Sequence, residues 1–183
     1  FVLVFFDDIL IYSPSLESHA LNLQTVLSVL AENQLYCKRS KCSFAQTSIE
    51  YLGHVISTSG VSMDLAKIEC IQSWPPPKSV KELRGFLGLT GYYRRFIRGY
   101  GMISKPLTLL LKKEGFAWNH NAQLAFEDLK RAMTTAPVLS MPNFDLPFVI
   151  ETDACGVGMG AVLMQQGHPI AFLSKALSTQ NLG

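Results

Sequence analysis

The sequence predicts an α+β protein in which strand-rich and helix-rich segments follow one another instead of alternating. Three observations lead to this fold class. Dense runs of Phe, Val and Ile flank an Asp-Asp pair near the start, helical periodicity dominates the middle, and glycine-punctuated strand patterns begin at Phe148. The predicted architecture is a β-hairpin with a helix, then a mainly helical region, then three antiparallel strands.

The first segment is predicted to be a hairpin followed by a helix. Residues 1–6 and 9–12 have strand composition and are separated only by Asp7 and Asp8, which is hairpin spacing. A helix of about five turns should follow and stop near Asn33. Its apolar stripe, at alternating spacings of four and three, consists of Leu16, Ala20, Leu23, Leu27 and Leu30. Residues 41–57 are predicted to be extended, with pairing between 43–44 and 49–56.

A capping box predicts where the central helix begins, because Ser79 can accept from a backbone N–H and Glu82 can reach back. The helix should continue to about Ile97. One face is basic with two glycines in its middle: Lys81, Arg84, Gly88, Gly91, Arg95 and Arg98. The opposite side is expected to pack: Leu83, Phe86, Thr90, Tyr93 and Ile97. Shorter helices are predicted at 64–73, 105–113 and 121–133.

The C-terminal part changes to strand patterns. Residues 148–152, 160–165 and 170–174 are predicted as strands joined by glycine-rich turns. Pro142 and Pro147 bracket a linker-like stretch before them, so the most plausible domain boundary lies at about 137–147.

Charge is distributed unevenly along the chain. Residues 61–113 hold ten Lys/Arg against three Asp/Glu, a net of +7, whereas the remainder holds six against eleven, a net of −5. A basic block beside paired carboxylates suits an enzyme that acts on nucleic acid, because one part can hold phosphates and the other a metal ion.

Composition argues against several other classes of protein. No apolar run approaches the ~20 residues that span a bilayer, and no secretory signal is present, so no membrane partner is expected and an intracellular location, not secretion, is predicted. The four cysteines match neither a disulfide scaffold nor a zinc pattern, which leaves buried packing as their simplest role. Because the chain starts at Phe1 in the middle of a strand pattern, a truncated start is expected.

The sharpest chemical feature is the Asp7-Asp8 pair between two apolar strands. Adjacent carboxylates repel one another unless a cation neutralises them, and acidic residues are poor strand formers. At a hairpin tip they can offer hard oxygen ligands to Mg²⁺. The alternative interpretation is a solvated turn, where Asp is common.

The flanking residues favour the metal-binding interpretation. Residues 5–13, Phe-Phe-Asp-Asp-Ile-Leu-Ile-Tyr-Ser, resemble the Tyr-x-Asp-Asp hairpin of reverse transcriptases in the form found in Gypsy-class long-terminal-repeat retrotransposons, with Phe5 in place of Tyr. The resemblance continues in the expected order through residues 34–36, 41–44, 51–57, 83–97, 116–118 and 125–130. Residues 151–155, Glu-Thr-Asp-Ala-Cys, resemble the opening of an RNase H domain, with Cys155 where Ser is more usual.

The resemblance implies an organisation and a set of functional residues. It implies the end of a polymerase palm at 1–60, a thumb at 61–113, a connection at 114–147 and the start of an RNase H-like domain at 148–183. Asp7, Asp8 and Asp153 would be catalytic ligands of Mg²⁺, and the basic helix face would follow an RNA/DNA template–primer during synthesis from dNTPs. Cytoplasmic particles or the nucleus are the implied locations, and the oligomeric state stays open.

Two alternatives remain at this stage. The chain could be a catalytically dead retroelement remnant that still binds nucleic acid non-specifically, or it could belong to a different palm enzyme or a standalone nuclease. The family's polymerase site needs a third carboxylate, expected before Phe1, and its RNase H site needs acids expected beyond Gly183. Negligible activity is therefore expected of the isolated 183-residue chain.

Overall fold

The computed structural model describes residues 1–112 and 116–177, which divide into two compact units, Phe1–Thr58 and Ser59–Gly183. In the first unit, β1 (Val2–Phe5) and β2 (Asp8–Ile11) form an antiparallel hairpin, followed by α1 (Leu16–Glu32). A second hairpin pairs β3 (Ser48–Tyr51) with β4 (His54–Ser57). The mixed helix and antiparallel-sheet architecture confirms the predicted fold class.

The first unit differs from the predictions in the positions of its turns. Phe5 pairs with Asp8, so the turn residues are Phe6 and Asp7, one residue earlier than predicted, and Asp8 begins β2. Residues 49–56 do not form one strand, because Leu52 and Gly53 both have positive φ, 50° and 70°, and reverse the chain. The predicted helix is confirmed, with Ser15 and Ser18 forming a capping box and Asn33 as C-cap.

The second unit begins with β5 (Gly60–Met63), whose Val61 forms an isolated antiparallel bridge with Leu139. In the described part of this unit five α-helices follow, and then a sheet with strand order β6-β7-β8, antiparallel throughout. The helices are α2 (Leu65–Gln72), α3 (Val80–Tyr92), α4 (Tyr100–Ile103), α5 (Lys105–Leu109) and α6 (His120–Thr134). The strands are β6 (Val149–Cys155), β7 (Gly158–Gln165) and β8 (His168–Ala176).

An aromatic chain forms the centre of the second unit's core. The ring centroids of Phe86 and Phe126 lie 4.6 Å apart, Trp74 lies 5.9 Å from Phe86, and Trp118 lies 5.7 Å from Phe126. Apolar burial of this kind is the dominant stabilising contribution to a fold. All five residues predicted on the packing face of the central helix are buried: Leu83, Phe86, Thr90, Tyr93 and Ile97.

The predicted length of the central helix is wrong. Ser79 does cap α3, but the helix ends at Tyr92, and residues 94–96 form a 3-10 turn before an extended Ile97. On a regular helix Phe96 and Ile97 would point about 100° apart. Because the chain leaves the helix here and becomes extended at Ile97, both side chains enter the core, where they are buried. Consequently Arg95 and Arg98 do not continue the helical face that Lys81 begins.

Pro142 and Pro147 indicated a linker-like stretch between them, but residues 140–146 are hydrogen-bonded to the sheet. The buried Gln165 side chain donates to the carbonyl oxygens of Asn143 (2.7 Å) and Leu146 (3.0 Å), and it accepts from the Asn143 N–H (2.9 Å). The Ser140 N–H donates to the Pro169 carbonyl at 2.8 Å. The predicted domain boundaries themselves stay a prediction.

Other expectations are corrected or fall outside the described residues. The cysteines do not pack inside, since Cys37, Cys70 and Cys155 are exposed and Cys42 is half-buried. The helix predicted at 105–113 ends at Leu109, and residue 113 lies outside the described residues. Within residues 1–112 and 116–177, no helix has the length and apolar character needed to cross a bilayer.

Candidate active site

The first candidate site is the tip of the β1–β2 hairpin, where Asp7 and Asp8 are both exposed. Phe6, immediately before them, has φ of 51° and is 88% exposed. Positive φ in a bulky residue is strained, by about 1–2 kcal/mol, and such strain often marks functional turns. The Phe5 and Phe6 rings meet edge to face at 4.9 Å. The tip is therefore an exposed turn that holds two carboxylates next to a strained aromatic residue.

Neighbouring elements hold this hairpin in place within the first unit. The Tyr51 hydroxyl, at the end of β3, donates a long hydrogen bond of 3.4 Å to the backbone carbonyl of Asp8. At the other end of β2, the Asn22 amide donates to the Ser13 hydroxyl at 2.8 Å, which fastens the strand exit to α1. The position of the tip is thus set by contacts with both β3 and α1.

The donor set at the tip suits Mg²⁺, which prefers oxygen ligands and commonly takes one or two carboxylates from a protein. In the described part of the chain, neither Asp7 nor Asp8 forms an ion pair with a basic side chain. Their oxygens are therefore available to a cation. The described residues bring no three His, Cys, Asp or Glu side chains together as a metal site, so these two aspartates could form only part of a ligand set.

The second candidate site is a groove of about 230 Å³ within the second unit, and Asp153 lines it. Asp153 pairs with Gly160 inside β6 and is followed by two further strand residues. The strand predicted at 148–152 therefore continues past Asp153, as far as Cys155. Glu151 lines the same groove because residues two apart on a strand share a face.

The predicted nucleic-acid-binding residues are only partly brought together. Lys81, Arg84 and Gly88 lie on the exposed side of α3. Among the described residues, a Cβ atom added at Gly88 would meet nothing within 4 Å, whereas one at Gly91 would lie 3.4 Å from the Tyr100 hydroxyl. Gly88 therefore leaves the helix surface open, while Gly91 allows packing inside the chain.

The other two arginines have different surroundings. Arg95 is exposed in the 3-10 turn, with its guanidinium 5.6 Å from the centre of the Phe96 ring. Arg98 is exposed and lines the groove that contains Asp153. The residues of the predicted basic helix face therefore lie in three places: on α3, in the 3-10 turn with Arg95, and at the groove with Arg98.

Sequence reasoning missed two residues of these sites. Glu151 could have been found from the two-residue period of a strand, which places it on the Asp153 face. The strained turn at Phe6 had no sequence signal, since two-residue hairpin turns favour Gly, Asn or Asp. Only the backbone conformation shows it.

Two family descriptions match the chain. Residues 1–56 match "Reverse transcriptase (RNA-dependent DNA polymerase)", and residues 118–182 match "RNase H-like domain found in reverse transcriptase". The hairpin with Asp7 and Asp8 lies in the first match, and the sheet with Asp153 lies in the second. The fold and the matched segments define a chain with a reverse transcriptase segment and an RNase H-like segment.

Individual relatives agree with this class. The retrovirus-related Pol polyprotein from transposon 297 of Drosophila melanogaster is 42% identical over 182 residues, which is 98% of this chain and 17% of the polyprotein. The Pol polyprotein from transposon gypsy of the same organism is 35% identical over 187 residues. An uncharacterized mitochondrial protein of Arabidopsis thaliana is 55% identical over 130 residues, 70% of this chain and 82% of that protein. The chain belongs to the reverse transcriptase and RNase H family of long-terminal-repeat retrotransposon Pol polyproteins.

Solved structures show the same fold. A foamy viral protease-reverse transcriptase dRH in complex with ds DNA superposes with a TM-score of 0.91 at 25% identity, over 99% of this chain and 33% of that one. A foamy viral protease-reverse transcriptase in complex with an RNA/DNA hybrid gives a TM-score of 0.91 at 24% identity, over 99% of this chain and 25% of that one. The chain spans less than a fifth of the Pol polyproteins it matches.

Proposed function

We propose that this chain is the part of an RNA-directed DNA polymerase that holds catalytic Mg²⁺ through Asp7 and Asp8. The observation that carries the proposal is the exposed pair of carboxylates on a strained turn, within the segment that matches reverse transcriptases. When bound, a pair of divalent ions activates the attacking oxygen and stabilises the leaving one in phosphoryl transfer. Asp7 and Asp8 supply negative charge and oxygen ligands at a fixed place for this chemistry.

The second unit would bind the template–primer through α3. Lys81 and Arg84 place positive charge on an exposed helix face, and such residues bind phosphates without reading sequence. The open surface at Gly88 allows a nucleic-acid backbone to approach the helix closely. The foamy viral protease-reverse transcriptases that share this fold were solved in complex with double-stranded DNA and with an RNA/DNA hybrid. An RNA/DNA template–primer and dNTPs, used inside the cell, are the proposed partners.

Asp153 would bind Mg²⁺ for RNase H cleavage. Asp153 lines an open groove, and its carboxylate forms no ion pair with any basic side chain of the described residues. It lies on a strand within the segment that matches the RNase H-like family. The polymerase and nuclease activities are therefore assigned to separate acids in separate units.

The decisive experiment separates the two activities in an intact reverse transcriptase that contains this chain. Asp7→Asn and Asp8→Asn remove charge with little change in shape. Each should lower primer extension on an RNA template about a thousandfold, the loss of several kcal/mol of metal-dependent stabilisation, and leave RNase H cleavage intact. Asp153→Asn should abolish cleavage and leave extension intact.

A matched control and two adverse outcomes complete this experiment. Asp145→Asn, at an exposed loop aspartate, should leave both activities unchanged. Primer extension that survives Asp7→Asn and Asp8→Asn together would exclude the proposed metal site. If the intact wild-type enzyme binds a template–primer but neither extends nor cleaves it, the chain comes from a catalytically dead remnant.

A binding experiment tests the α3 face separately. Arg84→Ala should weaken binding to any duplex sequence and reduce the dependence of log Kd on log salt by about one ion. Arg131→Ala is the matched control, because Arg131 is exposed on α6 and already pairs with Asp128 at 3.1 Å. Equal effects of the two substitutions would contradict a specific role for α3.

A further inference from the structure

We propose that Arg98 binds a backbone phosphate of the nucleic acid at Asp153, and so belongs to the RNase H-type groove instead of the α3 face. The inference rests on the proposed function and deepens it by adding a phosphate-binding residue to the nuclease site. The sequence alone assigned Arg98 to a continuous helical stripe, and the structure argues against that assignment.

The groove brings together opposite charges from two parts of the second unit. Arg98 lies between the 3-10 turn and α4, whereas Glu151 and Asp153 lie on β6. All three line the same groove, together with Cys155. A site for a metal ion and a phosphodiester needs this combination, because carboxylates hold the cation and a guanidinium pairs with the phosphate.

Close packing fixes Arg98 relative to the sheet. The Gly101 N–H donates to the Ser174 hydroxyl at 2.7 Å, and a Cβ at Gly101 would lie only 2.8 Å from the Ser174 carbonyl oxygen. The Met102 sulfur occupies the space that a Cβ of Gly158 would need. Because α4 lies directly on β7 and β8, the backbone of Arg98, two residues before α4, has a defined position at the groove.

The guanidinium of Arg98 is not neutralised by the acids that share its groove. In the described ranges Arg98 forms no ion pair, so its nitrogens lie more than 4.0 Å from the carboxylate oxygens of Glu151 and Asp153. Arg98 is therefore available to an external anion. A phosphate is the anion that its planar, two-pronged donor geometry matches best among the groups of a nucleic acid.

The break after Tyr92 removes Arg98 from the α3 face. A continuous helix would have aligned it with Lys81 and Arg84, but the 3-10 turn, the extended Ile97 and Gly99, with φ of 74°, redirect the chain. The two basic surfaces should therefore respond differently to substitution. Substitution of Arg84 should weaken binding to every duplex. Substitution of Arg98 should lower the occupancy of the Asp153 groove by nucleic acid.

The test is a footprint at Cys155, using the full 183-residue chain with a short RNA/DNA hybrid in the presence of Ca²⁺. Cys155 is exposed and lines the groove, so bound nucleic acid should shield it from N-ethylmaleimide. At a hybrid concentration of about four times Kd, alkylation of Cys155 should slow about fivefold, because only the unbound fraction reacts. Peptide mass spectrometry measures the alkylation of each cysteine separately. The exposed Cys37 serves as an internal control for the reactivity of the reagent.

Variants decide the outcome. Arg98→Ala should remove the protection of Cys155, Arg98→Lys should keep part of it, and Arg131→Ala should keep all of it. Circular dichroism confirms that each variant is folded. Full protection in Arg98→Ala, or no protection in the wild type, would overturn the inference. Failure of the proposed function is a different result, namely RNase H cleavage that survives Asp153→Asn in the intact enzyme, because the footprint needs no turnover.

Discussion

Substitution of Phe126 by alanine should strongly destabilise the second unit. The ring is fully buried on α6 and contacts Phe86 and Trp118, with centroid separations of 4.6 and 5.7 Å. It also receives the Lys130 ammonium at 4.9 Å, and Lys130 in turn donates to the Trp74 carbonyl at 3.1 Å. Removing the ring therefore breaks contacts to α3 and to the segment before α6, and it removes the aromatic face beside the Lys130 ammonium.

The magnitude follows from these contacts. Phe→Ala in a packed core costs about 3–5 kcal/mol, and each aromatic pair contributes about 0.5–1.5 kcal/mol beyond its buried area. With two ring partners, Phe126→Ala should cost about 4 kcal/mol. Phe126→Leu fills most of the space but loses the ring pairs, so it should cost about 1–2 kcal/mol.

The chain supplies its own probe for this measurement. It has two tryptophans, Trp74 and Trp118, and both belong to the same aromatic chain. Tryptophan fluorescence during urea unfolding therefore reports this core. With a slope of about 2 kcal/mol per M urea, Phe126→Ala should lower the midpoint by about 2 M.

Phe144→Ala is the matched control, because Phe144 is 83% exposed and its loss should change stability by less than about 0.5 kcal/mol. Similar midpoints for Phe126→Ala and Phe144→Ala would refute the assignment of the core. Equal destabilisation by Phe126→Ala and Phe126→Leu would show instead that the ring pairs, and not the volume, dominate.

Three further predictions concern packing, hydrogen bonding and pH. Gly158→Ala should cost about 1–3 kcal/mol by overpacking against α4, whereas Gly156→Ala, with nothing within 4 Å of the added carbon, should be nearly neutral in a thermal melt. Gln165→Ala should leave the 143–146 backbone without its partners and cost about 1–3 kcal/mol, and hydrogen exchange should show faster exchange of the Asn143 amide. Burial raises the pKa of Tyr93 from 10.0 to about 12, so its neutral form stabilises the fold below pH 10. Urea midpoints should fall between pH 10 and 12. The fall should be smaller when Tyr93 is replaced by Phe, but some should remain because burial also raises the pKa of Tyr100.

Sequence patterns predicted the helices well where local signals and packing agree. Ser79 and the apolar spacing of Leu83 and Phe86 located the start and the buried face of α3, because a cap and a 3.6-residue period are local properties. The end of α3 was predicted wrongly, because the helix stops where Phe96 and Ile97 are both buried in the core. Their burial depends on residues distant in sequence, so no local sequence pattern indicates it.

The sites show the same division between local and distant information. The Asp7-Asp8 pair could be located from its neighbours in sequence, but the exact turn could not, because a phenylalanine at positive φ contradicts turn preferences. That Arg98 and Asp153 line the same groove could not be predicted at all. It depends on how α4 packs on a sheet more than fifty residues away in sequence.

The acids of the two candidate sites lie in different local structures, a turn for Asp7 and a strand for Asp153. This difference determines how the effect of each substitution on activity can be separated from its effect on folding. Asp7 lies on a two-residue turn, where few contacts depend on its side chain, so Asp7→Asn should change chemistry without changing the fold. Asp153 lies inside a strand whose neighbour β7 packs against α4. Because an asparagine there keeps the backbone ladder and the volume, a loss of cleavage with an unchanged melting curve can be attributed to the lost charge. Both sites can therefore be tested by removal of a single charge, with folding measured independently.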